Sequence, residues 1–203
     1  MRKPITSGAV VILLAVIALF AAEGARMKIT SSAFQEGGNI PSKFTCDGSD
    51  TSPPLQITGV PAEAKSLVLI VDDPDAPGGL FTHWLIWNIP PQTNSVEEGT
   101  APKGVQGTND FGKSGYRGPC PPPGTHRYSF KIFALDRELE LRSGAKRSQV
   151  DTAMKGHVIA QGELVGRDAA RFIISRVEKR SIEIAFECDA ELLIRKSSGP
   201  APA

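Results

Sequence analysis

The sequence contains few of the residues and motifs on which common active sites and metal sites depend. Of its 203 residues, 3 are cysteine and 3 are histidine, and no two of them have the spacing of a zinc-binding pair. No Gly-X-Ser-X-Gly elbow and no Gly-X-Gly-X-X-Gly loop occurs, so nothing marks an activated serine or a dinucleotide-binding turn. The net charge is only +1, whereas a surface that binds nucleic acid needs a clustered excess of basic residues.

Long apolar stretches are absent except at the N-terminus. Residues 9–22 (AVVILLAVIALFAA) are apolar without a break and follow the positively charged start at residues 1–3. Ala22 and Gly24 place small residues where a signal peptidase reads them, so the pattern predicts a secretory signal peptide over residues 1–24 and an exported protein, periplasmic or secreted. The run is short for a membrane span of roughly 20 residues, which leaves an uncleaved membrane anchor as the alternative.

The odd number of cysteines leaves the disulfide pattern open. Export permits disulfides, so Cys46, Cys120 and Cys188 allow one pair and one free thiol, without saying which. The length allows one domain with a sizeable core. We place this domain at residues 27–190 and predict a disordered tail at 196–203.

Short apolar stretches separated by turns predict a mostly β fold. Residues 65–72 (KSLVLIVD) and 82–89 (THWLIWNI) are continuous apolar runs, as in strands that are buried on both faces. Residues 126–135 (HRYSFKIFAL) alternate, which puts Tyr128 and Phe130 on one face with Ile132 and Ala134. Shorter strands are predicted at 27–32, 172–177 and 180–187, the last two as a hairpin, and a long Gly/Pro-rich connection at 90–124.

The apolar spacing changes to a helical period between residues 148 and 165. Val150, Met154 and His157 fall on one stripe, with Ser148 as N-cap and Gly166 as stop signal. On that stripe His157 is interpreted as a core histidine rather than a ligand. Together with the strands, this pattern predicts an antiparallel β-sandwich with one clear helix packed near the C-terminal part.

Two histidines begin strands close to acidic, turn-forming segments. His83 follows a Gly-Gly loop, His126 follows a Pro-rich loop, and Asp73 and Asp75 lie in the stretch VDDPDAP. A carboxylate beside an imidazole orients the ring and raises its pKa, so these four side chains are suited to a pocket for a polar ligand. They are also ordinary ligands of a divalent metal, and Asp-Pro and Pro-Gly pairs also occur in plain turns.

The Gly-rich and Pro-rich segment 115–124 (GYRGPCPPPG) can add backbone N–H donors to such a pocket. Proline has no N–H group, so backbone donors for an anion would come from Gly118, Cys120 or Gly124. Ser114 and Cys120 lie near this loop, but no neighbouring residue marks either as a nucleophile. We therefore predict no catalytic residue, no bound metal and no cofactor.

Two spaced motifs resemble the signature blocks of the phosphatidylethanolamine-binding protein family, in its bacterial, Raf kinase inhibitor-like branch. They are residues 73–77 (DPDAP) with the following His83, and residues 118–128 (GPCPPPGTHRY), within a similarity that covers roughly residues 27–186. The resemblance implies a β-sandwich with a small pocket for phosphate, acetate or a phosphoethanolamine head group, in proteins that bind, inhibit or scaffold. The ligand-binding residues that it implies are Asp73, Asp75, His83, Gly118, Pro121, Pro122, His126 and Tyr128.

The expected ligand is a small anionic or zwitterionic phosphorylated molecule, with no nucleic-acid partner; a protein partner and whole-lipid binding stay open. Two other functions remain as alternatives: a protein-interaction module of the protease- or kinase-inhibitor kind with a vestigial pocket, and a metal-assisted hydrolase that uses the same Asp/His set. One departure from the family lies at residues 166–168 (GRD), where many bacterial members have Gly-Thr-Tyr. Two charges there replace an aromatic ring that could face a partner.

Overall fold

Residues 26–169, the part of the chain that this computed structural model describes, form two antiparallel sheets, one α-helix and a short 3-10 turn. The elements are β1 (Lys28–Thr30), the 3-10 turn (Ser42–Phe44), β2 (Leu55–Thr58), β3 (Ser66–Asp73), β4 (Phe81–Ile89), β5 (Ser95–Val96), β6 (Val105–Gln106), β7 (Thr125–Leu135), α1 (Arg147–Met154) and β8 (Val158–Ala169). The larger sheet has the strand order β6-β4-β3-β7-β8, and the smaller one has the order β1-β2-β5.

The two continuous apolar runs form the central strands β3 and β4, and the larger sheet is covered on both faces. On one face Leu69 packs in a core shared with Ile57 of the small sheet. On the other face Ile70 packs with Val150 of α1. Strands covered on both sides need apolar residues at successive positions, which is why neither run alternates. Each fully buried aliphatic side chain contributes roughly 1.5–3 kcal/mol. The predicted sandwich with one helix is confirmed.

The three strongest strand predictions agree with the structure to within one residue at each end. Tyr128, Phe130, Ile132 and Ala134 all enter the core between the two sheets, as the alternation of β7 predicts. The predicted connection 90–124 carries the two-residue strands β5 and β6. The predicted signal peptide (1–24), the hairpin (172–187), the C-terminal part of the predicted domain and the tail (196–203) lie outside the described residues.

The predicted helix over 148–165 is wrong in its C-terminal half. The helix ends at Met154, and Val158–Ala169 is the strand β8. Gly156 ends the helix, because it adopts φ of 83°, a left-handed conformation that favours glycine. The N-cap is Lys146 rather than Ser148, and Gly166 lies inside β8 rather than at a helix end.

A strand follows the helix because β7 needs a second hydrogen-bonding partner. β8 pairs antiparallel with β7 over its whole length, from Thr125 opposite Ala169 to Leu135 opposite Val158. A helix over the same residues would leave one edge of an eleven-residue strand unpaired, which costs hydrogen bonds along that edge. His157 therefore precedes a strand instead of lying on a helical stripe. It is partly exposed, and its Nδ1 lies 2.9 Å from Asp136 Oδ1.

The described cysteines form one disulfide, between Cys46 and Cys120. Their Cα atoms lie 5.4 Å apart, and the two cysteines are separated by 74 positions in the sequence. The bond joins the loop after the 3-10 turn to the proline-rich segment 115–124. The third cysteine, Cys188, lies outside the described residues.

Candidate functional site

Asp73 and His126 form a buried pair at the end of the larger sheet. Asp73 is the last residue of β3, and His126 is the second residue of the neighbouring strand β7. His126 Nδ1 lies 2.7 Å from Asp73 Oδ2, and both side chains are less than one-tenth exposed. The other carboxylate oxygen, Oδ1, accepts the N–H of Asp75 at 2.8 Å. Because the carboxylate accepts from Nδ1, the ring directs Nε2 away from Asp73.

A β-bulge in β4 turns His83 toward the same face of the sheet. Val71 is paired with Trp84 while Asp72 is paired with Thr82, so His83 is an extra residue opposite β3. Without the bulge, alternation would point His83 to the helix-covered face. With it, the imidazole packs edge-on against Tyr128, with ring centroids 5.2 Å apart and an interplanar angle of 88°.

The surroundings of His83 favour a neutral ring. Burial lowers the pKa of His83 below its ordinary value of 6.5, more than the carbonyl of Arg117 and the charge of Asp73 raise it. His83 Nδ1 lies 2.7 Å from the Arg117 carbonyl oxygen, so Nδ1 carries the proton and donates it to that oxygen. In the neutral ring Nε2 then carries the lone pair and acts as an acceptor. The raised pKa expected of a histidine beside a carboxylate is therefore not found at His83.

Tyr128 adds a buried hydroxyl to the cluster. Its side chain is fully buried, and its hydroxyl makes no hydrogen bond within bonding distance to a described residue, although the Asp73 carboxylate and the Cys120 backbone lie close to it. Burial raises the pKa of Tyr128 strongly, and the charges of Asp73 and Asp168 raise it further. A neutral phenol placed between these groups can donate a hydrogen bond to a ligand oxygen.

Asp168 is a member of the cluster that sequence reasoning missed. It lies opposite His126 in the pairing of β7 with β8 and is 7% exposed. Since Tyr128 and Leu164 both enter the inter-sheet core, alternation puts Asp168 on the same face as His126. The GRD departure at 166–168 marked this position, but the helix predicted over 148–165 hid the pairing of this segment with β7.

Asp75 faces a different partner from the one expected. Both carboxylate oxygens accept hydrogen bonds from Arg127. Oδ2 accepts from Nε at 2.8 Å and from the backbone N–H at 2.9 Å, and Oδ1 accepts from Nη2 at 2.6 Å. These bonds lower the pKa of Asp75 well below its ordinary value. The Asp75 carboxylate therefore pairs with Arg127 at the rim of the site and does not face the histidines.

Gly118 forms part of the wall near His83, but its N–H group is not free for an anion. The N–H donates to Asp50 Oδ1 at 2.6 Å. A Cβ atom at this position would lie 2.3 Å from the carbonyl oxygen of Phe44, so only glycine fits between the two loops. Pro121 is half-buried and Pro122 exposed, next to the disulfide-bonded Cys120, and their contact with a ligand stays a prediction.

An apolar rim borders the polar cluster on the side of His83. Phe81 and Phe111 pack against the His83 ring and against each other, with ring centroids between 4.9 and 5.4 Å apart. Phe111 is 40% exposed and Leu80 is 52% exposed. The guanidinium of Arg117 lies 5.7 Å from the centre of the Phe111 ring. The entrance thus combines exposed apolar surface with a cation.

Two clefts lie on the larger sheet. One of about 480 Å³ opens beside His126 and is also lined by Asp75, Gly124, Thr125, Arg127 and Arg167. The other, of about 750 Å³, is lined by residues that include Lys131, Phe133 and Arg147. Lys131 and Arg147 are paired with the buried Asp72, on the opposite face of β3 from Asp73. We place the functional site at the smaller cleft, because it is lined by His126 and the larger one is not.

The described residues offer neither a metal site nor a membrane-spanning helix. Between residues 26 and 169, no group of three or more His, Cys, Asp or Glu side chains is arranged to hold a metal ion. In the same range no helix has the length and apolar character needed to cross a membrane. Within the Asp/His set Asp73 and His126 contact each other, whereas Asp75 is paired with Arg127 and His83 with the Arg117 carbonyl.

Residues 107–114 (GTNDFGKS) match the Gly-X4-Gly-Lys-Ser pattern of a phosphate-binding loop, but the fold does not present them as one. Such a loop leads into a helix and leaves its backbone N–H groups free for the phosphates. Here the N–H groups of Phe111 and Lys113 both donate to the side-chain oxygen of Asn109. The next regular element is strand β7 rather than a helix, so the match has no phosphate-binding geometry.

Comparison with known proteins agrees with this architecture. The sequence profile described as "Phosphatidylethanolamine-binding protein" matches residues 30–168. A UPF0098 protein of Methanothermobacter thermautotrophicus is 53% identical over 146 residues, which are 69% of this chain and 97% of that protein. The crystal structure of a phosphatidylethanolamine-binding protein homologue from Chlamydia trachomatis superposes with a TM-score of 0.70 at 45% identity, over 72% of this chain and 99% of that one.

Escherichia coli YbcL, described as a member of the mammalian family of the same name, has a TM-score of 0.68 at 32% identity, over 72% of this chain and all of that one. A β-sandwich with this histidine cluster and these relatives defines a class of small binding proteins. The chain belongs to the phosphatidylethanolamine-binding protein family, and the resemblance of its two motifs is confirmed. Members of this family are in general binding proteins rather than enzymes.

Proposed function

We propose that this protein binds a small phosphorylated or carboxylated ligand through the cluster of Asp73, His83, His126, Tyr128 and Asp168. The observation that carries the proposal is the buried Tyr128 hydroxyl, which has no partner among the described residues and lies beside two oriented imidazoles. A buried polar group without a partner costs roughly 1–3 kcal/mol, and a ligand oxygen would remove that cost.

The charges of the cluster favour a ligand that brings protons or a positive charge with its anion. Asp73 and Asp168 are negative, while burial keeps His83 neutral with an acceptor at Nε2. A phosphate monoester can donate its own proton to Nε2, and the ammonium group of phosphoethanolamine is attracted by the carboxylates. Sulfate has the same shape but carries no proton at neutral pH. We therefore expect phosphoethanolamine and phosphate to bind better than sulfate, with affinities in the millimolar to micromolar range expected of such small ligands.

The same proposal includes export through the predicted signal peptide. The Cys46–Cys120 disulfide supports it, because structural disulfides form and persist mainly in oxidising compartments. Protease protection of the protein in intact cells, compared before and after the outer barrier is opened, would distinguish an exported protein from one that stays inside.

The first experiment is a titration of the purified protein with phosphoethanolamine, followed by the side-chain NMR signals of the three histidines. The signals of His83 and His126 should move together and saturate, while the signal of His157 stays still, because His157 pairs with Asp136 outside the cluster. His126→Gln should abolish saturation and the matched His157→Gln should not. If no histidine signal moves up to tens of millimolar, the ligand proposal is wrong.

A protein-interaction module is the second candidate, and the exposed apolar rim favours it. Leu80 and Phe111 are large side chains in contact with solvent next to the site, and exposed apolar patches of this kind mark interaction surfaces. A partner that still binds His126→Gln but not Phe111→Ser would support this function over ligand binding.

A further inference from the structure

Two arginines stand directly opposite each other at the edge of the site. Arg127 of β7 is paired with Arg167 of β8, one position along from the pair of His126 with Asp168. Like charges that face each other across two strands destabilise a sheet. A pair of this kind therefore requires compensating negative charge.

The described residues compensate only one of the two arginines. Arg127 is held by both oxygens of Asp75. For Arg167, no salt bridge is formed with any residue between 26 and 169. Its backbone is anchored, because its N–H donates to the Gly38 carbonyl and its carbonyl accepts from Ile40. The guanidinium of Arg167 is thus an uncompensated cation on a fixed backbone.

The two arginines line the same cleft as His126. This cleft has a volume of about 480 Å³, which is within the range of small-molecule sites and larger than one phosphate group needs. With Asp75 counted against Arg127, Arg167 leaves the charged side chains that line it with a net positive charge. By the alternation of β7 and β8, the side chains of Arg127 and Arg167 start on the opposite face of the sheet from His126. A ligand bound at His126 therefore reaches them around the strand end at Gly124 and Thr125, which line the same cleft.

We propose that the Arg127–Arg167 cleft is a second anion subsite, so that the ligand carries two acidic groups, one at the histidine cluster and one between the arginines. The inference rests on the proposed function, since the first acidic group is the one that the histidines bind. The second group is a carboxylate or phosphate, because the planar guanidinium groups match the geometry of those oxyanions.

O-phosphoserine and phosphoethanolamine form the pair of probes that tests the subsite, because they differ by one carboxylate. In the wild-type protein we expect O-phosphoserine to bind about three- to tenfold more tightly, the effect of one partly solvated charge-assisted hydrogen bond. Arg167→Gln should remove this difference and leave the affinity for phosphoethanolamine unchanged. Arg142→Gln, which removes an exposed arginine from the loop before α1, is the matched control and should retain the difference.

The outcomes separate the two proposals. If phosphoethanolamine shifts His83 and His126 but O-phosphoserine binds no more tightly, the second subsite is wrong and the proposed function stands. The subsite is also wrong if the preference survives in Arg167→Gln, or if that variant weakens both ligands equally, as a general loss of positive charge would do. If neither ligand shifts the histidines, the proposed function fails first. Arg167→Lys, which keeps the charge but not the planar fork, should retain only part of the preference.

Discussion

The role of each side chain in the site depends on the neighbouring group that orients it. Asp73 accepts one hydrogen bond from the backbone N–H of Asp75 and another from His126, so its carboxylate both closes a turn and orients an imidazole. His83 is oriented instead by a backbone carbonyl. Two histidines in one cluster are thus held by acceptors of different charge, and burial lowers the pKa of His83, the one held by a backbone carbonyl.

The lowered pKa of His83 predicts a pH dependence of stability. Between the folded pKa and the ordinary value of 6.5 the unfolded chain binds more protons than the folded protein, so the free energy of unfolding should fall as the pH drops below 6.5. Urea unfolding between pH 7.5 and pH 5 measures this slope. His83→Gln should reduce the slope, and His157→Gln should leave it as in the wild type. Equal slopes for all three proteins would contradict the assignment.

At the scale of elements, the bulge in β4 and the segment 115–124 together make the site. The bulge brings His83 to the core-facing side of the sheet, and the segment supplies the Arg117 carbonyl that holds its ring. Five contacts anchor the segment to the loop at 42–50. They are the disulfide, the hydrogen bonds from Gly118 to Asp50, from Cys46 to the Pro119 carbonyl and from the Tyr116 hydroxyl to the Phe44 carbonyl, and the ion pair of Arg117 with Asp50. The site therefore depends on a loop pair more than on strand register.

Reduction of the Cys46–Cys120 disulfide should destabilise the protein and weaken ligand binding together. The bond spans 74 residues, for which a loss of about 2–4 kcal/mol is typical. If segment 115–124 loosens, the His83 ring should also lose its hydrogen bond to the Arg117 carbonyl. The chemical shifts of the ring nitrogens would show this loss. Denaturation and ligand titration with and without reductant are the measurements. A double variant, Cys46→Ser with Cys120→Ser, should show no further change with reductant; if binding is unaffected by reduction, the loop pair does not position His83.

The elements also show where sequence reasoning reached its limit. Local apolar patterns were sufficient for β3, β4 and β7, because continuous apolar runs in β3 and β4 and alternation in β7 are imposed by burial itself. They were insufficient for residues 158–165 (VIAQGELV), where the apolar residues of a partly exposed edge strand do not alternate and also suit a helix. Gly156, which ends α1, was a usable signal in the sequence. The bulge at His83 had none, because a bulge depends on which residues the partner strand offers.

For the whole molecule, the larger sheet separates a binding face from a structural face. Asp72 and Asp73 are neighbours on β3 but point to opposite sides. Asp73 joins His126, whereas the fully buried Asp72 accepts hydrogen bonds from Arg147 at 2.8 and 2.9 Å and from Thr82 at 3.1 Å, and lies 3.4 Å from Lys131 Nζ. The Asp72 network connects three different elements, α1, β4 and β7, to β3.

Asp72→Asn should therefore lower stability without changing the ligand site. The substitution leaves the largely buried Arg147 and Lys131 without their carboxylate, and breaking a buried ion pair costs about 3–5 kcal/mol. Chemical denaturation should show this loss, while the phosphoethanolamine affinity of the folded protein stays within about twofold of the wild type, a difference below 0.5 kcal/mol. Arg137→Gln, which breaks an exposed pair with Glu140, is the control and should cost at most about 1 kcal/mol. A loss of affinity in Asp72→Asn would show that the two faces are coupled.

The sequence by itself determined the fold class and the central strands, and its motifs predicted a site at Asp73, His83, His126 and Tyr128, which the fold brings together. Burial periodicity and spaced motifs are local patterns, so a linear chain is enough to read them. Only the tertiary structure decided that Asp75 serves Arg127, that Asp168 joins the histidines, and that Arg167 faces Arg127. Each of these depends on the pairing of β8 with β7 or on the return of a loop to a distant strand. Such contacts join residues 40 to 52 positions apart, and no local pattern carries information about them.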